Sequence, residues 1–348
     1  MSTAARAAEA DKASVAYHAA LTRIGAATIE DALKLWAGVP PTATAATAAK
    51  WLADAVHLVM TRRSRSRDLA MAYYRLARAL RTGKTVADPR RPEPKYVTLA
   101  MLRREFELLA GDPLAEPLEG RERTTPAADD SQSPPGSGSD EELIEVEEIP
   151  DSAREEERLE RAAEQEARDS LIKTGPLLMR YKLLDVDTRE PAEKVDEQRD
   201  EAHQAAGRQQ SSTAERVTLD GARGTVWRYA QRDRRVIGYV RLSRTGTPCG
   251  WCAMLISRGV AYKSQRGAEY SDGDKYHNNC HCYAEPIYDK QQYVTSELTA
   301  LNREYQKLWP QVTAGLSGDA AVSAWRKFIR EQEKDRAQAA RQQTAQEA

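Results

Sequence analysis

"CGWCAMLISRGVAYKSQRGAEYSDGDKYHNNCHC" spans Cys249–Cys282 and holds all four cysteines of the 348-residue chain, with two of its five histidines. Its ends are Cys249-Gly250-Trp251-Cys252 and Cys280-His281-Cys282. A Cys-x-x-Cys pair serves redox exchange, zinc deamination or structural metal binding. The redox reading needs a strand–helix–strand setting around the pair, and it leaves His277, Cys280 and Cys282 without a role. The deaminase reading needs a His-x-Glu partner to move the proton. "PCGWC" (Pro248–Cys252) matches the other half of that signature, but upstream His203 is followed by Ala205 where the Glu should stand, which excludes it. Four free buried cysteines are the plainest alternative, and the paired spacing argues against chance clustering.

Structural metal binding accounts for the whole stretch. Cys249 and Cys252 form one arm; His277, Cys280 and Cys282 form the other. Two arms meeting across a connecting segment build tetrahedral N/S zinc sites, and four protein ligands leave no position for a catalytic water. The expected cofactor is therefore a structural Zn²⁺, and the chain is expected not to be an enzyme. Cys249, Cys252 and Cys282 are the favoured ligands, with His277 or Cys280 as the fourth. The runner-up is a zinc-containing DNA nuclease, because "HNNCHC" (His277–Cys282) is similar to nucleases of the His-Asn-His type. That chemistry needs a histidine base beside a catalytic metal, and "YAEPIYDKQQY" (Tyr283–Tyr293) supplies no histidine.

Working outward, "RVIGYVRL" (Arg235–Leu242) has the Val, Ile and Tyr content of a strand. After Pro286 the apolar spacing returns to that of helices: Val294, Leu298, Leu301 and Tyr305 make one stripe, and Val322, Trp325 and Ile329 another. The last fifteen residues read as a fraying tail. Upstream, residues 151–234 are polar and helix-forming. The segment 112–150, with "TTPAADDSQSPPGSGSDEELIEVEEIP", combines Pro, Ser, Gly and acids and has little to bury. Residues 1–111 carry four or five short amphipathic stripes. Thr28 is expected to cap the second and Thr98 the fifth, with Pro40-Pro41 and Gly83 as stops.

The expected fold is thus mainly α. It comprises an N-terminal helical domain (1–111), a disordered acidic linker (112–150), a polar helical segment (151–234), a small strand-containing zinc-binding module (235–288, α+β), and C-terminal helices with a tail (289–348). Charged residues make up 30% of the chain and aromatics only 6%, which suits modest helical units better than one large core. The first residues lack an apolar signal region, and no run approaches the roughly 20 apolar residues of a membrane span. Synthesis in a reducing cytoplasm and no membrane contact are therefore expected, and such a compartment favours metal over disulfides.

The formal net charge of −1 hides a segregation: +8 over residues 1–110, −13 over 111–160 and +4 over 161–348. A basic segment followed by an acidic one implies different partners or an internal electrostatic contact. The densest positive run is "RRSRSR" (Arg62–Arg67). It is expected to be a solvated helix end or loop, or, through Arg62, Arg63, Arg65 and Arg67, a contact for double-stranded DNA or an acidic partner surface.

"RDRRVIGYVRLSRTGTPCGWCAMLISRG" (Arg232–Gly259), "YHNNCHC" (Tyr276–Cys282) and "EPIY" (Glu285–Tyr288) resemble the minor capsid, or head morphogenesis, family named after protein F of phage Mu. The resemblance is strongest to its branch in phages of actinobacteria, and "YYRLARALRTGKTVADP" (Tyr73–Pro89) is similar to the same branch. Asn278 and His281 depart from the family pattern, where Pro and Arg are usual. The resemblance implies a virion protein inside the head near the portal, acting in head assembly or genome delivery. Its implied partners are the portal protein and the major capsid or scaffolding protein.

Overall fold

The computed structural model describes residues 2–41, 45–114, 142–149, 152–243, 248–262 and 276–347. They are mainly helical and form two compact units, Met1–Thr225 with His277–Asn279, and Val226–Tyr276 with Cys280–Ala348.

Two long helices, α1 (Thr3–Ala37) and α2 (Ala45–Thr82), frame the first unit. The short stripes expected here merge into them. Thr28 lies inside α1 rather than at a cap: its hydroxyl donates back to the Ile24 carbonyl at 2.7 Å, and the helix runs through Gly25 and on to Gly38 without a break. Gly38 ends α1 before Pro40, and Gly83, at φ +74°, follows α2. Trp36 and Trp51 meet edge to face in the core between α1 and α2. Two later glycines are required there, since a Cβ at Gly175 would stand 2.9 Å from Trp51 and one at Gly207 2.7 Å from Trp36.

Helix α3 (Leu99–Gly111) starts where the sequence places it, with the Thr98 hydroxyl accepting the Met101 N–H at 3.2 Å. Thr98→Ala is expected to cost about 1 kcal/mol, measured as a shift in the denaturant midpoint at unchanged slope.

Around α3 stand β1 (Lys84–Val86), β2 (Tyr96–Thr98) and β3 (Leu143–Glu147), in the order β1-β3-β2. β3 runs parallel to β1 and antiparallel to β2. The expected disordered linker over 112–150 is therefore corrected at its end, while residues 115–141 lie outside the described residues. Acidic composition is no bar to a strand here, because basic residues from earlier in the chain meet it. Lys84 Nζ lies 2.6 Å from Glu145 and 3.3 Å from Glu147, Arg78 pairs with Glu147, and Arg6 lies 2.6 Å from Glu142. Ile144 turns inward opposite Val97.

Helix α4 (Ser152–Ile172), a π-helical turn (Lys173–Leu177), α5 (Leu178–Leu183) and α6 (Ala192–Arg232) follow. The acidic α4 corrects the reading of the arginine run. Arg63, Arg65 and Arg67 are buried. Arg63 Nε lies 3.0 Å from Glu160, Arg67 pairs with Glu156 and Glu160, and Arg62 lies 3.0 Å from Asp31. Arg63 also donates to the Val217 carbonyl at 2.8 Å, and Arg65 to that of Asp112 at 2.9 Å. These four guanidinium groups hold the unit together internally instead of forming a solvated face for DNA.

The second unit is built on an antiparallel sheet of β4 (Gly238–Ser243), β5 (Ala261–Tyr262) and β6 (Cys282–Ile287), in the order β5-β4-β6. β4 is the expected strand. On one face Val240 and Leu242 pack with Tyr283 and Ile287; the alternate residues, Tyr239 and Arg241, share the other face with Cys282 and Ala284 by register. Between strands lies α7 (Gly250–Ser257), and α8 (Lys290–Thr295), α9 (Ala300–Val312) and α10 (Gly318–Glu347) follow the sheet. Leu301, Tyr305, Val322, Trp325 and Ile329 join the core of α7, whereas Val294 is exposed. The C-terminal helices are thus part of the cysteine module, not an appendage to it. The expected tail is helical to Glu347, its Ala, Gln and Arg content favouring a helix.

Candidate metal centre

Three of the four cysteines converge inside the second unit. Cys252 lies in the first turn of α7, Cys282 opens β6, and Cys280 stands two residues before it. All three are buried. The chain turns into Cys280 through Asn279, whose φ of +61° is a conformation that asparagine tolerates better than most residues. Cys252 and Cys280 bring their sulfurs to 3.4 Å, and the Sγ atoms of Cys252, Cys280 and Cys282 all lie within 4.8 Å of one another. Thiolates around a tetrahedral zinc, at Zn–S of about 2.3 Å, stand about 3.8 Å apart, so this spacing and donor set fit the ion.

Cys249 is exposed at the N-cap of α7, where its sulfur accepts the Cys252 N–H at 3.4 Å. The ring Nδ1 of His277, also exposed, stands 2.7 Å from the Asn278 carbonyl oxygen, and His281 is exposed. Among the described residues of the second unit, Cys252, Cys280 and Cys282 form a donor set that could hold a metal ion. Of the five residues picked from the spacing, the second unit brings Cys252, Cys280 and Cys282 together, and Cys280, an alternative by sequence, belongs to this buried set.

The thiols are poorly disposed to ionise alone. Contacts with Cys249, Cys280 and Cys282, and then burial, raise the pKa of Cys252 far above that of a free cysteine. At Cys282 the Cys252 contact pulls the pKa down, but the Cys280 hydrogen bond and burial push it up to about 12. A divalent cation held by these sulfurs would displace the protons, which would couple metal uptake to folding.

One residue of the centre was not singled out as a site residue from sequence. Arg241, buried on β4, sets its Nη1 3.9 Å from the Cys252 sulfur and its guanidinium 4.3 Å from the centre of the Tyr276 ring. Burial opposes its charge, yet Tyr276 and then Cys252, Cys282 and Cys280 raise its pKa above the usual arginine value. The available signal was a cation in an otherwise apolar strand. Asn302 of α9 fixes the backbone beside it, donating to the Arg241 carbonyl at 3.0 Å and the Ile256 carbonyl at 3.3 Å.

Among the described residues no helix is long and apolar enough to cross a membrane. No curated protein and no solved structure matches the chain. Residues 179–308 match the model of a family described as VG15 protein, a phage virion-associated family, and this span contains the whole cysteine stretch. The match supports a phage protein related to the virion.

Proposed function

We propose that this chain is a non-enzymatic minor capsid protein of a tailed phage, of the kind named after protein F of phage Mu. In this reading it is made in the host cytoplasm, enters the head near the portal, and acts in head assembly or genome delivery. The portal protein and the major capsid or scaffolding protein are its partners. The observation that carries this reading is the buried trio Cys252, Cys280 and Cys282, set in a helical core within the span that matches a phage virion-associated family. Cys252, Cys280 and Cys282 would hold a structural zinc, with a fourth ligand for which the sequence offers Cys249 or His277. When bound, zinc supplies folding free energy and cross-links α7 to the start of β6. The chain's own residues seat it: α9 and α10 exclude water, and Arg241 faces the sulfurs.

Mass spectrometry of purified virions, before and after DNA release, tests the placement. The protein is expected in the filled head at low copy number; its absence from virions would overturn the proposal. Incubation of the purified chain with plasmid and Mg²⁺ or Mn²⁺ is expected to leave the DNA intact. Cleavage that is lost on His277→Ala would establish the nuclease reading instead.

A further inference from the structure

We propose that Arg241 is the built-in counter-charge of the metal centre, a positioning residue that faces the sulfurs and orients Cys252 without binding the metal. This rests on the zinc reading above and adds a role for a residue outside the donor set.

The argument starts from the strand. β4 is buried over Gly238–Leu242, and an arginine in such a strand is costly unless an anion meets it. The antiparallel register aims Arg241 at the sulfurs. Arg241 pairs with Ala284, and Cys282 is two residues along β6, so both side chains leave the same face of the sheet. The methyl group of Ala284 leaves room for the longer side chain. Tyr276 then stacks on the guanidinium plane, and Nη1 reaches Cys252. A single cation thus faces thiols from both α7 and β6.

Charge accounting explains why it should be there. Zinc with three thiolates and one neutral ligand carries one net negative charge, and with four thiolates two. Enclosed by Trp325, Tyr305, Met254 and Ile256, such an anion has little water to solvate it. Arg241 offsets one unit of that charge at contact distance, where the low local dielectric makes the attraction strong. Its fork also donates a charge-assisted N–H to sulfur, fixing where Cys252 points.

The test is zinc affinity by chelator competition, with Co²⁺ absorption as a second readout, on the full chain and its Arg241→Gln, Arg241→Lys and Arg241→Met variants. Gln and Met are expected to weaken zinc binding about 10–100-fold and to shift the cobalt–thiolate charge-transfer band. Lys is expected to retain most of the affinity, because it keeps the charge. Where a variant does not fold without metal, the zinc concentration that restores its near-ultraviolet circular dichroism reads the same affinity. Wild-type protein that takes up no zinc would overturn the metal centre and this role together. Tight zinc binding by the wild type that is matched by Arg241→Gln would overturn the role of Arg241 alone. So would Met restoring affinity better than Lys, since only packing would then matter.

Discussion

Stripping zinc with a chelator, or replacing Cys252 by serine, is expected to unfold the second unit while the helices of residues 3–111 survive. Structural zinc supplies on the order of 10 kcal/mol of folding free energy, more than a small module's net stability. In the zinc reading, the trio carries that dependence. Its sulfurs sit inside the core formed by α7, α9 and α10, so the protein without metal must bury three protonated thiols where ligands should be. Serine adds a buried hydroxyl and removes a donor from the buried set. Hydrogen exchange followed by mass spectrometry separates the two units: peptides from 238–257 and 282–329 should lose protection, and peptides from α1 and α2 should keep theirs. Unchanged exchange after complete metal removal would show that the core stands without a staple.

Trp325→Ala is expected to cost about 3–5 kcal/mol, the range for removing a large aromatic from a packed core. Trp325 is 0% exposed and packs among Tyr305, Trp309 and Phe328, with ring centroids 5.2–5.4 Å away. The indole belongs to the same core as Cys252 and Cys280. The cavity should therefore weaken zinc retention as well as thermal stability, although the substitution lies far along the chain from every cysteine. A lowered melting temperature with zinc content and cysteine reactivity unchanged would mean that α10 and the metal centre are energetically separate.

What could be read in advance follows the range of the interactions involved. β4 was legible because Val236, Ile237, Tyr239, Val240 and Leu242 carry strand preference locally, and the Thr98 cap because capping is settled within three residues. The candidate metal residues were visible as pairs because chelation requires close spacing. Their sorting was not, since it depends on where β6 begins and on the turn at Asn279. The arginine run read as solvated because Glu156 and Glu160, which neutralise it, come some ninety residues later. β3 read as linker for the same reason, since Glu145 and Glu147 resemble a disordered acidic tract until Lys84 and Arg78 are set beside them. Charge segregation along the chain was the visible trace of both, and among the described residues Glu142, Glu145, Glu147, Glu156 and Glu160 meet it with internal contacts.

The placement of β3 between β1 and β2 also dictates an order of events during synthesis. A ribosome releases β1 and β2 well before β3, and those two strands cannot complete the sheet with each other, because the hydrogen bonds of both are made to the strand still to come. The nascent chain can wind α1 and α2 from local contacts, but the small sheet must wait for a loop of about sixty residues to close, an entropic cost that grows only with the logarithm of its length. Until Leu143–Glu147 arrives, Arg78 and Lys84 lack the carboxylates they face in the finished fold. Leu143–Glu147 thus completes the small sheet of the first unit, with its carboxylates facing Arg78 and Lys84.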